Sequence, residues 1–163
     1  MFTVRKLLAE DWKAVRAIYQ QGIDTRLATF ETEVPTWEDW DRNHLETCRL
    51  VAVESKEVMG WAALGPVSKR SAYAGVASVS VYVADSAKGK GIGKSLLKAL
   101  VEASDAEGIW TLEAAIFPEN QISIALHKAC GFREVGKRER IGQLDGIWRD
   151  TLLLERRSKI IGG

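Results

Sequence analysis

The sequence predicts an α/β fold: one mixed sheet made of hairpins and a single central β-α-β crossover, with helices against it. Three observations carry this. Val76 to Ala84 alternates, with Val79, Val81 and Val83 on one side and Ser78, Ser80 and Tyr82 on the other, the period of a strand with one apolar face. A glycine loop, Lys88 to Gly93, follows it, and from Gly91 a helical pattern runs to about Glu107. Around this unit the elements follow in the order β-α-α-β-β-β-α-β-α-β-β, which is not strict alternation.

The elements read in chain order. Phe2 to Leu7 is a short strand. From Ala9 to Ile23, Trp12, Val15, Ile18 and Tyr19 fall near one helical face, with Asp11 near the start and Gly22 near the end. After the polar loop DTRLATFETEVPT, Thr36 caps a second helix through about Leu45, with Glu38 and Asp39 in its first turn. Leu50–Glu54 and Val58–Leu64 form a hairpin around Ser55–Glu57. The long helix after the glycine loop turns Leu96, Leu97, Leu100 and Val101 inward. Trp110–Ile116 is a strand, and Asn120–Cys130 is a helix that Gly131 stops. Phe132–Ile141 and Ile147–Leu154 make a terminal antiparallel pair turning at Leu144–Gly146.

Bulk properties bound the function. With 163 residues, no repeat and no linker, one domain over residues 1–163 is expected. A hydrophobic fraction of 46% supplies a core, and a net charge of +1 gives no field directed at nucleic acid or a membrane. No apolar run approaches the roughly 20 residues of a membrane span. The charged start MFTVRKLLAEDW is not a secretory signal, so the cytoplasm is the expected location. Cys48 and Cys130 form no CxxC and are expected to be reduced; with only His44 and His127 besides, no metal site is expected.

The glycine loop carries the chemistry. Free N–H groups at a helix start, and the helix dipole, favour an anion there. Gly89, Gly91 and Gly93 let backbone approach a diphosphate, and Lys88, Lys90 and Lys94 add positive charge. Two nucleotide loops are excluded by one residue each. A Walker loop would need glycine at Lys88, and a dinucleotide fingerprint would need it at Lys94.

What fits is a basic residue, then x-x-Gly-x-Gly: Lys88, Gly89, Lys90, Gly91, Ile92, Gly93. A second segment, PENQISIALHKACGF, places Asn120, His127 and Gly131–Phe132 downstream. On both elements the chain resembles the GNAT acetyltransferase superfamily over nearly its whole length. The resemblance implies a mixed, mostly antiparallel central sheet splayed around acetyl-CoA, with no metal. It implies that the loop Lys88–Lys94 binds the pyrophosphate. It also implies that Val81, Tyr82 and Val83, on a bulged strand, pair with the pantetheine arm, and that Asn120 contacts that arm. TFETEVP at 29–35, SKRSAY at 68–73 and LDGIWRD at 144–150 are similar to segments of phosphinothricin-type acetyltransferases. That likeness implies a small amino-acid acceptor, acetylated on its α-amine, and a homodimer. Arg70 can hold an acceptor carboxylate, with Phe30 and Tyr73 walling the pocket.

An α-ammonium must lose a proton before it attacks a thioester. In the phosphinothricin group the proposed base is a glutamate four residues before the strand tyrosine, and here that position is Ser78. Glu31, Glu33 or a water chain ending at Ser78 are the substitutes. His127 stands where many relatives carry a general-acid tyrosine; it either donates to the departing thiolate or lines the tunnel. Two other functions stay open: acetylation of a protein or peptide amine, and a weakly catalytic CoA-binding module.

Overall fold

A computed structural model describes residues 1–162 of the chain. Seven strands form one sheet: β1 (Thr3–Lys6), β2 (Leu50–Glu54), β3 (Glu57–Pro66), β4 (Val76–Val83), β5 (Thr111–Ile116), β6 (Arg133–Leu144) and β7 (Ile147–Arg157). Their spatial order is β1-β2-β3-β4-β5-β7-β6. Every neighbouring pair is antiparallel except β4 with β5, the single crossover. Four helices complete the predicted order: α1 (Trp12–Asp24), α2 (Trp37–Arg42), α3 (Ile92–Ala106) and α4 (Gln121–Ala129).

Strand alternation distributes the helices between two faces. Trp61 of β3 and Tyr82 of β4 are register partners and stack at 4.9 Å between ring centroids. Tyr19 of α1 packs on both rings, at 5.4 and 4.9 Å. Gly22 makes this approach possible, since a Cβ there would lie 2.5 Å from the Tyr82 ring. Trp12, Trp37 and Trp40 extend the aromatic layer, bringing α2 onto the same face. On the other face α3 buries Ile92, Leu96, Leu97 and Leu100, with Leu96 and Ile92 against Gly60. At its C-terminal end Asp105 takes a bidentate pair from Arg156 of β7, both bonds 3.0 Å.

Three details depart from expectation. The second helix ends at Arg42, because Asn43 caps it and the Leu45 N–H has already joined the Leu64 carbonyl at 2.8 Å. The last two strands are longer than their apolar pattern; β7 continues to Arg157 because β5 pairs with it as far as Thr111. The bulge expected at Val81–Val83 is absent, since β4 keeps an unbroken register with β3 from Ala77 to Val83.

Candidate active site

The parallel pair β4–β5 is joined only from Val76 with Thr111 to Ser78 with Glu113. Beyond Ser78 no ladder joins the two strands, while each stays paired to its outer neighbour. Edge geometry follows from the β3 ladder. The Ala84 N–H donates to Met59 on β3 at 2.8 Å, so by alternation the backbone groups of Val79, Val81 and Val83 turn to the β5 side. The divergence of β5 thus frees the hydrogen-bonding edge that a bulge was expected to free.

A cavity of about 310 Å³ occupies the gap. Its walls are Ser78–Tyr82 of β4, Ala114–Phe117 at the end of β5, Asn120, Ser123 and His127 around α4, Ala28–Glu31 of the α1–α2 loop, Tyr19 and Thr151. The loop segment is held over it by Asn120, whose Nδ2 donates to the Leu27 carbonyl at 3.1 Å. The same side chain caps α4, Oδ1 accepting from the Ser123 N–H at 3.2 Å. Phe30 meets Phe117 edge-on at 4.8 Å and rests against Gly142 of β6.

At the far end of β4 a short turn, Asp85–Ala87, leads into the glycine loop. Gly89 and Gly91 have φ of +83° and +79°, values that side chains disfavour. A Cβ at either would meet nothing within 4 Å, so the backbone there is open to a ligand. Gly91 is the N-cap of α3 and supplies no side-chain cap, and the first turn holds no acidic residue. The positive helix end therefore faces the loop. Lys88 pairs with Asp85 at 3.1 Å and Lys90 with Glu54 at 3.5 Å, both in exposed positions where such pairs hold a side chain only loosely. This donor set suits a diphosphate.

The titratable groups of the cavity sort by burial. Burial first, then the charge of Glu31, raises the Tyr19 hydroxyl to about 12, and burial raises Tyr82 as well. Both phenols are therefore neutral hydrogen-bonding groups at pH 7. His127 is buried, and its Nδ1 donates to the Ser123 carbonyl at 2.7 Å, since a carbonyl can only accept. Burial holds its imidazole below the ordinary value of 6.5. With its Nδ1 proton committed to the Ser123 carbonyl, the neutral ring leaves Nε2 as an acceptor.

Of the residues singled out from sequence, Phe30, Glu31, Ser78, Val81, Tyr82, Asn120 and His127 meet at one cavity. Glu33, exposed as Glu31 is, lies outside its walls. Arg70 and Tyr73 are not brought in either. They sit on the β3–β4 connection, where the Arg70 guanidinium lies 5.6 Å over the Tyr73 ring and both residues are exposed. Tyr19, Thr29 and Thr151 were missed. Tyr19 reads as one more apolar position of α1, and Thr151 as an unremarkable strand residue, so no local signal distinguishes them.

A sheet that parts at one parallel pair, a cavity in the gap, and a glycine loop opening a helix beside it define an acyl-group transferase. The sequence profile of the acetyltransferase (GNAT) family matches residues 5–132, and the chain belongs to that family as an N-acetyltransferase. The chain is 31% identical to the L-methionine sulfoximine/L-methionine sulfone acetyltransferase of Pseudomonas aeruginosa, over 94% of this chain and 92% of that protein. A GNAT superfamily phosphinothricin acetyltransferase from Sinorhizobium meliloti, solved in complex with acetyl-CoA, superposes with a TM-score of 0.86 at 29% identity, over 99% of this chain and 94% of that one. The ribosomal-protein-alanine N-acetyltransferase from Brucella melitensis superposes with a TM-score of 0.88 at 32% identity, over 96% and 99%.

Proposed function

We propose that this protein transfers an acetyl group from acetyl-CoA to the α-amine of a small amino acid or analogue of the methionine sulfoximine or phosphinothricin type. The observation that carries it is the walled cavity of about 310 Å³, a volume suited to a small molecule, in the gap between β4 and β5. Bound acetyl-CoA supplies an activated thioester, and everything else is the work of the chain. The N–H groups of the loop from Lys88 to Lys94 hold the pyrophosphate, with the three lysines around it. The free edge at Val79, Val81 and Val83 aligns the extended arm, and an N–H there can meet charge developing on the thioester oxygen.

Glu31 is the proton acceptor in this reading. It lines the cavity, close enough for its charge to raise both tyrosines, whereas Glu33 does not line it. Ser78 lies on the same wall and can relay through water. His127 lines the cavity and would face the bound thioester arm with Nε2, its Nδ1 being held by the Ser123 carbonyl. Phe30 walls the acceptor side.

The reading includes a single domain over residues 1–163, acting in the cytoplasm as a homodimer. Two free cysteines suit a reducing compartment. The edge strand β6 is exposed along nearly all its length, and Trp148 and Ile147 beside it are exposed too, which suits a second subunit.

The likeness to a ribosomal-protein-alanine N-acetyltransferase favours one competing reading, a protein N-terminus as acceptor. Purified protein with acetyl-CoA and a thiol reagent decides between them. Thiol release with methionine sulfoximine, methionine sulfone or phosphinothricin supports the proposal. Release only with alanine-starting peptides, or with no amine offered, would sink it.

A further inference from the structure

One hydroxyl in the cavity has no structural task. Thr151 lines the cavity and is 4% exposed, yet its Oγ1 has no hydrogen-bond partner among the described residues. A buried hydroxyl left in this way is destabilising, and valine would fill the same volume without that cost. No hydrogen bond fixes the hydroxyl in its present rotamer. A turn of about 120° around Cα–Cβ exchanges it with the methyl group of the same side chain.

Register tells which ligand it serves. Ser78 pairs with Glu113 on β5, and Ala115, two residues on, pairs with Leu153 on β7. Thr151, two residues before Leu153, therefore shares the face of Ser78, Tyr82 and the α1–α2 loop, not the face that α3 covers. One residue past the last paired step, Ile116 with Leu152, it stands across from Phe117. The Phe30–Phe117 pair, 4.8 Å apart, lines the same cavity, and the Arg149 guanidinium lies 3.9 Å over the Phe117 ring. Two phenyl rings and a buried hydroxyl without a partner, on one wall of the same cavity, fit an aliphatic side chain that ends in a polar oxygen.

We infer that Thr151 is a specificity-determining residue whose hydroxyl donates to a side-chain oxygen of the acceptor, so that the site prefers oxygen-bearing analogues over the bare thioether. This rests on the small amino-acid reading above. The test compares wild type with Thr151→Val on methionine sulfone and methionine, at saturating acetyl-CoA. The ratio of kcat/KM for sulfone over methionine falls about 5- to 10-fold in the variant, the loss of one neutral hydrogen bond. The variant's melting temperature, taken without ligands, holds or rises, because a buried unpaired hydroxyl has been removed.

An unchanged ratio overturns the inference while leaving the proposed function intact. So does a lowered melting temperature, which assigns Thr151 to the fold, or an effect confined to the KM for acetyl-CoA. Wild-type protein inactive on both amino acids would overturn the acceptor class and this inference together.

Discussion

At the scale of the residue, the site is an arrangement of carboxylate, hydroxyl and neutral imidazole. Ser78 occupies the strand position where the resemblance to phosphinothricin-type acetyltransferases implies a glutamate, and a serine without a partner does not take a proton from an ammonium. Glu31 reaches the cavity from a loop instead, beside Tyr19 and Tyr82. Glu31→Gln is expected to lower kcat/KM for the acceptor about 100-fold, the lower range for loss of a general base, with the KM for acetyl-CoA unchanged. Glu33→Gln is expected to stay within about 2-fold of wild type, as surface changes do. Steady-state kinetics on both variants check this; equal losses would remove Glu31 from the role.

At the scale of the element, Asn120 joins two functions that separate by substitution. Its Oδ1 caps α4, and its Nδ2 holds the Leu27 carbonyl and with it the loop that carries Phe30 and Glu31. Asn120→Asp keeps an N-cap acceptor and loses the donor. Asn120→Ala loses both, and the cap alone is worth about 1 kcal/mol. We expect Asn120→Asp to raise the KM for the acceptor severalfold with little change in melting temperature, and Asn120→Ala to do the same with lowered stability. Thermal melts run beside acceptor titrations check both; an Asn120→Asp variant with unaltered acceptor KM would show that the loop is held without Asn120.

At the scale of the whole molecule, buried ionisable groups set the response to pH. Burial keeps the imidazoles of His44 and His127 below their ordinary 6.5. As pH falls through that value the unfolded chain gains protons that the folded chain refuses. Their contribution is therefore complete above pH 6.5 and is lost as pH falls toward the lowered folded values. Asp11 and Asp105 are held below their ordinary 3.8 chiefly by hydrogen bonds from Arg5 and Arg156. Their stabilisation is present above 3.8 and lost as pH falls below it. Melting temperature followed against pH should show one decline below about 6.5 and another below about 4. His127→Gln should shrink the first decline and leave the second.

Most of the fold was legible because local patterns and global packing agree. The alternation in β4, the apolar stripe of α3 and the glycines around residue 90 each point to the element that forms. Elements ended elsewhere than predicted where a partner distant in sequence decided the matter: Leu45 leaves the helical path for Leu64, and β7 runs on to follow β5. The glycine loop and the start of α3 could be read because they are contiguous in the chain. The acceptor side could not. Glu31, His127 and Thr151 meet only because β5 departs from β4 after Ser78, while Arg70 and Tyr73, suitable in kind, stack on each other outside. The sequence by itself determined the order of elements and the glycine loop at the start of α3, both encoded in local periodicity and spacing, and its motifs carried the resemblance to the family. Tertiary structure alone decided which carboxylate faces the cavity, which nitrogen of His127 carries the proton and which hydroxyl is left unpaired. Those depend on register and burial, which no stretch of residues specifies without the strands it packs against.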